Sequence, residues 1–153
     1  MLNTSFLKHP HSLVHIGLVC RNMDEGRDLL SRTLGVSWVG GASEDWELLI
    51  EGESRSLSMA IAHSANGSPH YELIEAKPNT PWETDAEIQL HHLCITSADP
   101  GGLCDHLESL GYRRVLGKPK DPSGYFQQPK GLLIEVVDQN LLAYLQGFYD
   151  TEL

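Results

Sequence analysis

HIGLVCRNMDEGRDLLSRTLG (residues 15–35) and HLCITSADPGGLCDHLESLG (residues 92–111) share one pattern. Each stretch opens with a histidine in a short alternating run, passes through a polar turn and continues as a helix that closes with Leu-Gly. Asn22 and Asp99 are suited to cap the two helices, because Asn and Asp side chains accept hydrogen bonds from the first free amide groups. The chain therefore contains an internal repeat, which indicates two copies of one structural unit.

Each copy continues with three strand-like runs separated by turn residues. These runs are WELLI (46–50), LSMAIAH (57–63) and HYELIEA (70–76), and then YRRVLG (112–117), GYFQQ (124–128) and LLIEVV (132–137). Each copy thus predicts a βαβββ module of an α+β fold. We expect one domain over residues 1–153, with modules at 1–78 and 83–140 joined by PNTPW (78–82). Residues 141–153 predict a C-terminal helix packed on the outside.

Composition narrows the class of protein. The chain has 153 residues, 41% hydrophobic residues and a net charge of −10, so it predicts one globular domain without a basic face for nucleic acid or anionic membranes. The sequence contains no run of 18 apolar residues, so we expect no membrane span. We also expect no secretory signal at the N-terminus. Three cysteines without CxxC spacing favour a reducing compartment, and we expect a cytoplasmic protein.

Two histidines and two glutamates stand at equivalent places in the two copies. His15 and His92 lie in the opening strands, and Glu72 and Glu135 lie in the closing strands. Alternate residues of a strand face opposite sides, so packing the copies around a pseudo-twofold axis lets all four converge. By the same alternation, His91 faces away from His92 and is expected not to be a ligand.

The pattern resembles the vicinal oxygen chelate superfamily, which includes glyoxalase I, methylmalonyl-CoA epimerase, extradiol dioxygenases and bleomycin-resistance-type proteins. HHLCIT and QQPKGLLIEVVD are similar to the second half of methylmalonyl-CoA epimerase, and HIGLV and YELIEA to its first half. ELIEAKPNTPW is also similar to glyoxalase-like proteins. The match covers roughly residues 13–138. It implies two tandem βαβββ modules in a half-open curved mixed sheet around one divalent metal ion, and commonly a homodimer. The ligands it implies are His15, Glu72, His92 and Glu135.

This ligand set suits a particular chemistry. Two imidazoles and two carboxylates favour Zn, Ni, Co, Mn or Fe(II) over Mg or Ca, and burying four ionisable groups is costly unless something pairs with them. A Lewis acid that polarises a carbonyl promotes removal of the adjacent proton. We therefore expect an epimerase, isomerase or lyase acting on a small molecule with a carbonyl or vicinal oxygens, and no nucleic-acid or membrane partner.

The general base is less well defined by the sequence. The epimerases carry a glutamate on an earlier strand, and its nearest counterpart is Glu53 in EGESRSLSMA (51–60). Rival carboxylates in the same stretch of chain are Glu44, Glu47 and Glu51. Alternatively, Glu72 or Glu135 leaves the metal to act as base, as in the glyoxalase I resemblance. The catalytic candidates are thus Glu53 and Glu135.

Two other functions remain open at this point. An extradiol dioxygenase would use His15, His92 and Glu135 as an Fe(II) triad, although Glu72 would then occupy a position that oxygen chemistry needs. A binding protein that sequesters a small molecule would not need the intact ligand set. Several basic side chains are expected to lie at the surface, namely His63, His70, Lys118, Lys120 and Lys130.

Overall fold

The computed structural model describes residues 11–65, 67–129 and 131–152. The first half of the chain contains β1 (His11–Cys20), α1 (Met23–Leu34), β2 (Ser37–Ile50), β3 (Glu53–Ala65) and β4 (Tyr71–Glu75). The second half contains β5 (Ile88–Ser97), α2 (Pro100–Ser109), β6 (Arg113–Gly117), β7 (Gly124–Gln127) and β8 (Leu133–Val137), followed by α3 (Gln139–Tyr149). The order strand, helix and three strands therefore occurs twice.

The eight strands form one closed barrel in the order β1-β4-β3-β2-β6-β7-β8-β5. β1 pairs with β4 in parallel and with β5 antiparallel, while β5 pairs with β8 in parallel. The expectation of a half-open sheet is wrong for this chain. The long strand β2 reaches β6 and closes the remaining edge, where Leu49 pairs with Gly117 and Ile50 with Leu116.

The helix ends are set by the predicted capping residues. The Asn22 side chain accepts a hydrogen bond from the Glu25 amide at 3.0 Å, and the Asp99 side chain accepts one from Gly102 at 3.0 Å. Gly35 ends α1 with φ 69°, a left-handed conformation that glycine adopts without steric cost. These local interactions fix where each helix leaves the sheet.

Apolar residues fill the barrel and attach the helices to its outer surface. The interior cluster draws on several strands and includes Val19, Leu48, Met59, Ile74 and Tyr125. Outside the barrel, α1 packs through a second cluster and α2 through a third. Residues that alternate along a strand therefore face the barrel interior and its outer surface in turn.

Three predicted elements differ from the observed ones. β2 and β3 are 14 and 13 residues long and extend well beyond the short runs that the sequence suggested. The C-terminal helix forms, but it does not lie on the outside: Tyr149 reaches the ring of His15, and Phe148 stacks on His63. Within the described residues, no helix is long and apolar enough to cross a bilayer.

Candidate metal centre

Four side chains meet inside the barrel, one from each of four strands. His15 of β1, Glu72 of β4, His92 of β5 and Glu135 of β8 each offer a donor atom, and these atoms all lie within 4.8 Å of one another. Both histidines are 1% exposed and Glu72 is 7% exposed. These strands adjoin one another, since β1 lies between β4 and β5, and β5 pairs with β8.

The spacing of the donor atoms suits one metal ion. The Nε2 atoms of His15 and His92 are 3.1 Å apart, and each lies 3.2 Å from Glu135 Oε2. Glu72 Oε2 lies 3.5 Å from His15 Nε2 and 3.4 Å from His92 Nε2. Bonds of about 2.0–2.2 Å to one ion separate neighbouring donors by roughly 2.8–3.6 Å, from octahedral to tetrahedral geometry. The residues therefore fit a divalent cation.

The carboxylates supply a second indication that the cluster can hold a cation. The inner oxygens, Glu72 Oε2 and Glu135 Oε2, are buried; the two histidine Nε2 atoms lie 3.2–3.5 Å from them, but no atom of the described residues meets hydrogen-bond geometry with them. Such poorly satisfied buried carboxylate oxygens are costly, whereas metal coordination satisfies them. The donor set itself, two imidazoles with two carboxylates, is one that Zn, Ni, Co, Mn and Fe(II) accept.

The electrostatics of the cluster favour a positive charge at its centre. Burial alone disfavours an imidazolium, but Glu72 and Glu135 outweigh that effect and raise the pKa of His15 to about 10. Burial likewise opposes charge on His92, and the same carboxylates raise its pKa. In the metal-free site a proton supplies the positive charge, and a divalent ion can replace it.

The carboxylates respond in the opposite direction. Burial by itself raises the pKa of Glu135, but the two histidines more than compensate and lower it to about 2. Burial also opposes ionisation of Glu72, while His15 and His92 hold its pKa well below the usual range. Both carboxylates are therefore ionised at neutral pH and available as ligands.

Gly17 makes room for the ring of His92. A Cβ atom at Gly17 would lie 2.0 Å from His92 Cε1 and 2.2 Å from Nδ1, a separation that no side chain tolerates. The two residues are paired in the β1–β5 register, and the corresponding partner of His15 is Cys94. The pocket for one imidazole thus depends on the missing side chain of a glycine.

His91 does not face away from the site as alternation predicts. The β1–β5 register passes from Gly17–His92 to Leu18–Leu90, so His91 is the additional residue of a β-bulge and escapes strict alternation. Its Nδ1 lies 2.9 Å from Nδ1 of His92, and its Nε2 lies 2.6 Å from the Pro81 carbonyl oxygen. His91 is thus not among the four clustered residues but contacts one of them directly.

His15 is supported from another part of the chain. Tyr149 at the end of α3 places its hydroxyl 2.7 Å from His15 Nδ1, and the Tyr149 side chain is itself buried. This contact joins residues 134 positions apart. Sequence reasoning missed it, because no local pattern relates the tail helix to the opening strand.

His63 is a further site residue that the sequence interpretation missed. It was expected to be solvated, but it is 6% exposed, its Nδ1 lies 4.0 Å from Glu72 Oε1, and its ring stacks on Phe148. Burial lowers its pKa, so it is neutral at neutral pH. The signal was present, because Met59, Ile61 and His63 are spaced two apart on β3 and share the inward face.

A cavity opens beside the cluster and contains Glu72, Glu135 and His63 in its wall. Its empty volume is about 740 Å³, including space open to solvent, which suits a small organic molecule. Most of the remaining wall is apolar or aromatic, with Trp46, Leu48, Met59, Ile61, Trp82, Leu116, Tyr125, Val136, Leu141 and Leu145. Lys118 lies at the same cavity with its Nζ 4.7 Å from the Trp46 ring centre. Lys130 lies outside the described residues.

The structure does not bring Glu53 to this cluster. It is exposed at the first residue of β3, and ten residues separate it from His63, a path of about 33 Å along a strand. The rival Glu51 is also exposed and pairs with Arg113. Glu47 is exposed as well, and Glu44 lies beside a neighbouring cavity near Tyr144 and Phe148. Among the catalytic candidates, Glu135 is the one at the cluster.

The chain belongs to the glyoxalase/bleomycin resistance protein/dioxygenase superfamily, whose family model matches residues 14–126. This family assignment confirms the resemblance seen in the sequence. No curated protein matches the chain significantly.

Solved structures share the fold at low identity. Methylmalonyl-CoA epimerase from Mycobacterium tuberculosis has a TM-score of 0.52 and 22% identity, covering 94% of this chain and 97% of that one. A methylmalonyl-CoA epimerase in complex with methylmalonyl-CoA and NH4+ has a TM-score of 0.51 and 17% identity, with coverage of 81% and 91%. A hypothetical protein from Bacillus halodurans C-125 has a TM-score of 0.53 and 15% identity, covering 82% of this chain and 92% of that one. These likenesses define the fold.

Proposed function

We propose that this protein is a divalent-metal-dependent enzyme that removes a proton next to a carbonyl group, in an epimerase, isomerase or lyase reaction. The observation that carries the proposal is the cluster of two imidazoles and two carboxylates at the wall of an apolar cavity. His15, Glu72, His92 and Glu135 would hold the ion. A bound divalent ion would supply Lewis acidity toward a carbonyl oxygen of the substrate.

Glu135 is the proposed base. It lines the cavity and takes the proton from the carbon beside the carbonyl, so that the C–H electron pair is delocalised toward the carbonyl oxygen. Glu135 then holds the proton and can return it; Glu72, the second carboxylate in the same wall, is ionised at rest and returns a proton only after taking one up from solvent. In an epimerase the return occurs on the opposite face, and in an isomerase at a neighbouring atom.

The environment explains how a carboxylate here can act as a base. Burial alone raises the pKa of Glu135, and only the adjacent histidines lower it. A carboxylate that turns from the imidazoles toward the apolar cavity therefore becomes a stronger base. The apolar side chains of the wall offer few partners to water, which would otherwise protonate the carbanion formed.

Metal analysis combined with proton exchange tests this proposal. Protein purified without chelators should retain about one divalent ion per chain after dialysis. The metal-loaded protein should then introduce solvent deuterium at the carbon beside the carbonyl of a substrate, screened over 2-substituted acyl thioesters and 2-hydroxy ketones. Glu135→Gln should lose the exchange, while Glu47→Gln, an exposed control on β2, should not.

Three outcomes would contradict the proposal. Iron(II) retention with oxygen uptake on catechols would indicate an extradiol dioxygenase. Tight binding of an organic ligand without any metal would indicate a sequestering protein. Deuterium exchange at full rate in Glu135→Gln would transfer the role of base to another group.

We also propose that the protein works in a reducing compartment such as the cytoplasm. All three cysteines are buried and free of disulfides, which suits a compartment that keeps thiols reduced.

We further propose that the protein is a homodimer. Light scattering on the eluted protein measures the oligomeric state, and a mass of about 17 kDa, that of one chain, would contradict the dimer.

A further inference from the structure

We propose that His91 is a positioning residue for the metal ligand His92, acting through a hydrogen-bond relay that ends on the Pro81 carbonyl oxygen. The inference rests on the proposed metal site and goes beyond its four ligands. The relay runs from His92 Nδ1 to His91 Nδ1 over 2.9 Å and from His91 Nε2 to the Pro81 carbonyl over 2.6 Å.

The carbonyl at the end of the relay fixes the direction of every hydrogen bond. A carbonyl oxygen only accepts, so the hydrogen in the Pro81 contact belongs to His91 Nε2. The two Nδ1 atoms face each other at 2.9 Å, and only one hydrogen fits between them. With its hydrogen on Nε2, the His91 ring offers the lone pair of its Nδ1 to that contact.

The second hydrogen bond then follows from the first. Because His91 Nδ1 accepts, His92 Nδ1 must be the donor, and it carries the hydrogen of that ring. The neutral His92 ring is thereby left with its lone pair on Nε2, the atom that lies 3.2 Å from Glu135 Oε2 and 3.4 Å from Glu72 Oε2. The relay selects the tautomer of His92 that can bind a metal in the cluster.

The segment that carries Pro81 is held in place independently of the histidines. The Lys77 amide donates to the Trp82 carbonyl at 3.2 Å, and the Thr80 hydroxyl donates to the Lys77 carbonyl at 2.8 Å. Arg55 of β3 donates to the Asn79 carbonyl at 2.7 Å. The carbonyl that orients His91 thus belongs to a folded turn between β4 and β5, which anchors the end of the relay.

Cobalt(II) binding by matched variants tests the relay. His91→Phe keeps a ring but removes both nitrogens, whereas His91→Asn keeps an oxygen acceptor near the position of Nδ1. We expect His91→Phe to weaken cobalt(II) affinity by about 10- to 100-fold, as loss of a ligand's hydrogen-bond partner typically does. His91→Asn should regain most of the loss, and His11→Phe, at an exposed residue of β1, should not change the affinity.

A spectroscopic measurement on the unmodified protein removes any dependence on the folding of the variants. Nitrogen-15 NMR of the zinc-loaded protein should show His91 as a neutral ring with its hydrogen on Nε2, and His92 with its hydrogen on Nδ1. The cobalt(II) absorption bands should also shift in His91→Phe and return toward the original position in His91→Asn.

The outcomes separate this inference from the proposed function. If the unmodified protein binds neither cobalt(II) nor zinc, the metal site itself is wrong and the relay falls with it. If it binds them and His91→Phe binds equally well, only the relay is wrong. Equal losses in His91→Phe and His91→Asn would show a packing role and overturn the relay, as would a hydrogen on Nδ1 of His91.

Discussion

His15 and His92 occupy equivalent places in the two halves of the chain, but they are held from behind in different ways. His92 contacts its sequence neighbour His91, which the β-bulge turns toward it, whereas His15 contacts Tyr149 at the end of the C-terminal helix. The four donor atoms are thus arranged nearly symmetrically, one histidine and one glutamate from each half. The partners of the two histidine Nδ1 atoms are different. The repeated strand order places the two histidines alike, while the groups behind them come from different parts of the chain.

Removing either imidazole should have the largest effect on metal content. The loss should be equal for the histidine of each half. His15→Ala and His92→Ala each leave three donors and a buried hole at the centre of the cluster, and Glu135→Ala removes a carboxylate from the same ion. We expect all three to lose stoichiometric metal, measured by elemental analysis after dialysis. Glu47→Ala serves as the exposed control. Retention of metal by only one histidine variant would show that the two halves do not share one ion.

Gly17→Ala should break only the His92 side. The new Cβ would lie 2.0 Å from the His92 ring, so the ring must move away from the cluster, and overpacking of this kind costs about 1–3 kcal/mol of stability. Thermal unfolding and metal analysis measure both consequences. Gly147→Ala on α3 is the matched control, since nothing lies within 4 Å of its added atom. Unchanged metal content in Gly17→Ala would contradict the described position of His92.

The pH dependence of the metal-free protein should reveal the protons that substitute for the ion. The pKa of His15 is raised from 6.5 to about 10, so its stabilising contribution is complete below about 6.5 and is lost as the pH rises through 10. The pKa of Glu135 is lowered from 4.5 to about 2, so its contribution is present above 4.5 and is lost as the pH falls through 2.

The melting temperature of the metal-free protein should therefore be highest between about pH 4.5 and 6.5. Adding metal should reverse the alkaline trend, because the ion displaces the proton on His15 and binds more tightly as the pH rises. Calorimetry across this range, with and without zinc, measures both effects. A metal-free protein that gains stability from pH 6.5 to 10 would show that His15 is not protonated within the cluster.

Tyr149→Phe should have a moderate effect, confined to the His15 side. It removes the hydroxyl that lies 2.7 Å from His15 Nδ1 and leaves that buried nitrogen without its partner. We expect cobalt(II) affinity to fall by about 10-fold, the lower end of the range for such partners. Tyr144→Phe is the control, because Tyr144 is 51% exposed. An equal loss in both variants would indicate a general effect on α3.

Glu53→Gln should have the smallest effect, since the residue is exposed at the start of β3. We expect metal content to be unchanged, and deuterium exchange into substrate to proceed at the unmodified rate. A clear loss of exchange with metal still bound would restore Glu53 as the base and place the substrate along β3.

Periodicity and local chemistry predicted much of this fold. The βαβββ order, the Asn22 and Asp99 caps, and the inward face shared by His15, Gly17 and Val19 all follow from patterns a few residues long. Closure of the barrel was not predictable in this way, because it depends on Leu49 and Ile50 at the end of β2 pairing with residues of β6 in the other half of the chain. His91 was misplaced for a related reason, since a bulge breaks the alternation from which its direction was inferred.

The amino-acid sequence by itself determined which residues are paired between the two halves, because a repeated strand places equivalent side chains on equivalent faces. It thereby predicts His15, Glu72, His92 and Glu135 as one group. Only the tertiary structure decided what stands behind and beside them: His91 through a bulge, Tyr149 through a helix 134 positions away, and His63 through its register opposite Glu72. Tyr149 reaches His15 from the far end of the chain, and His63 and His91 take their positions from strand pairing and its register, which only the packed sheet fixes.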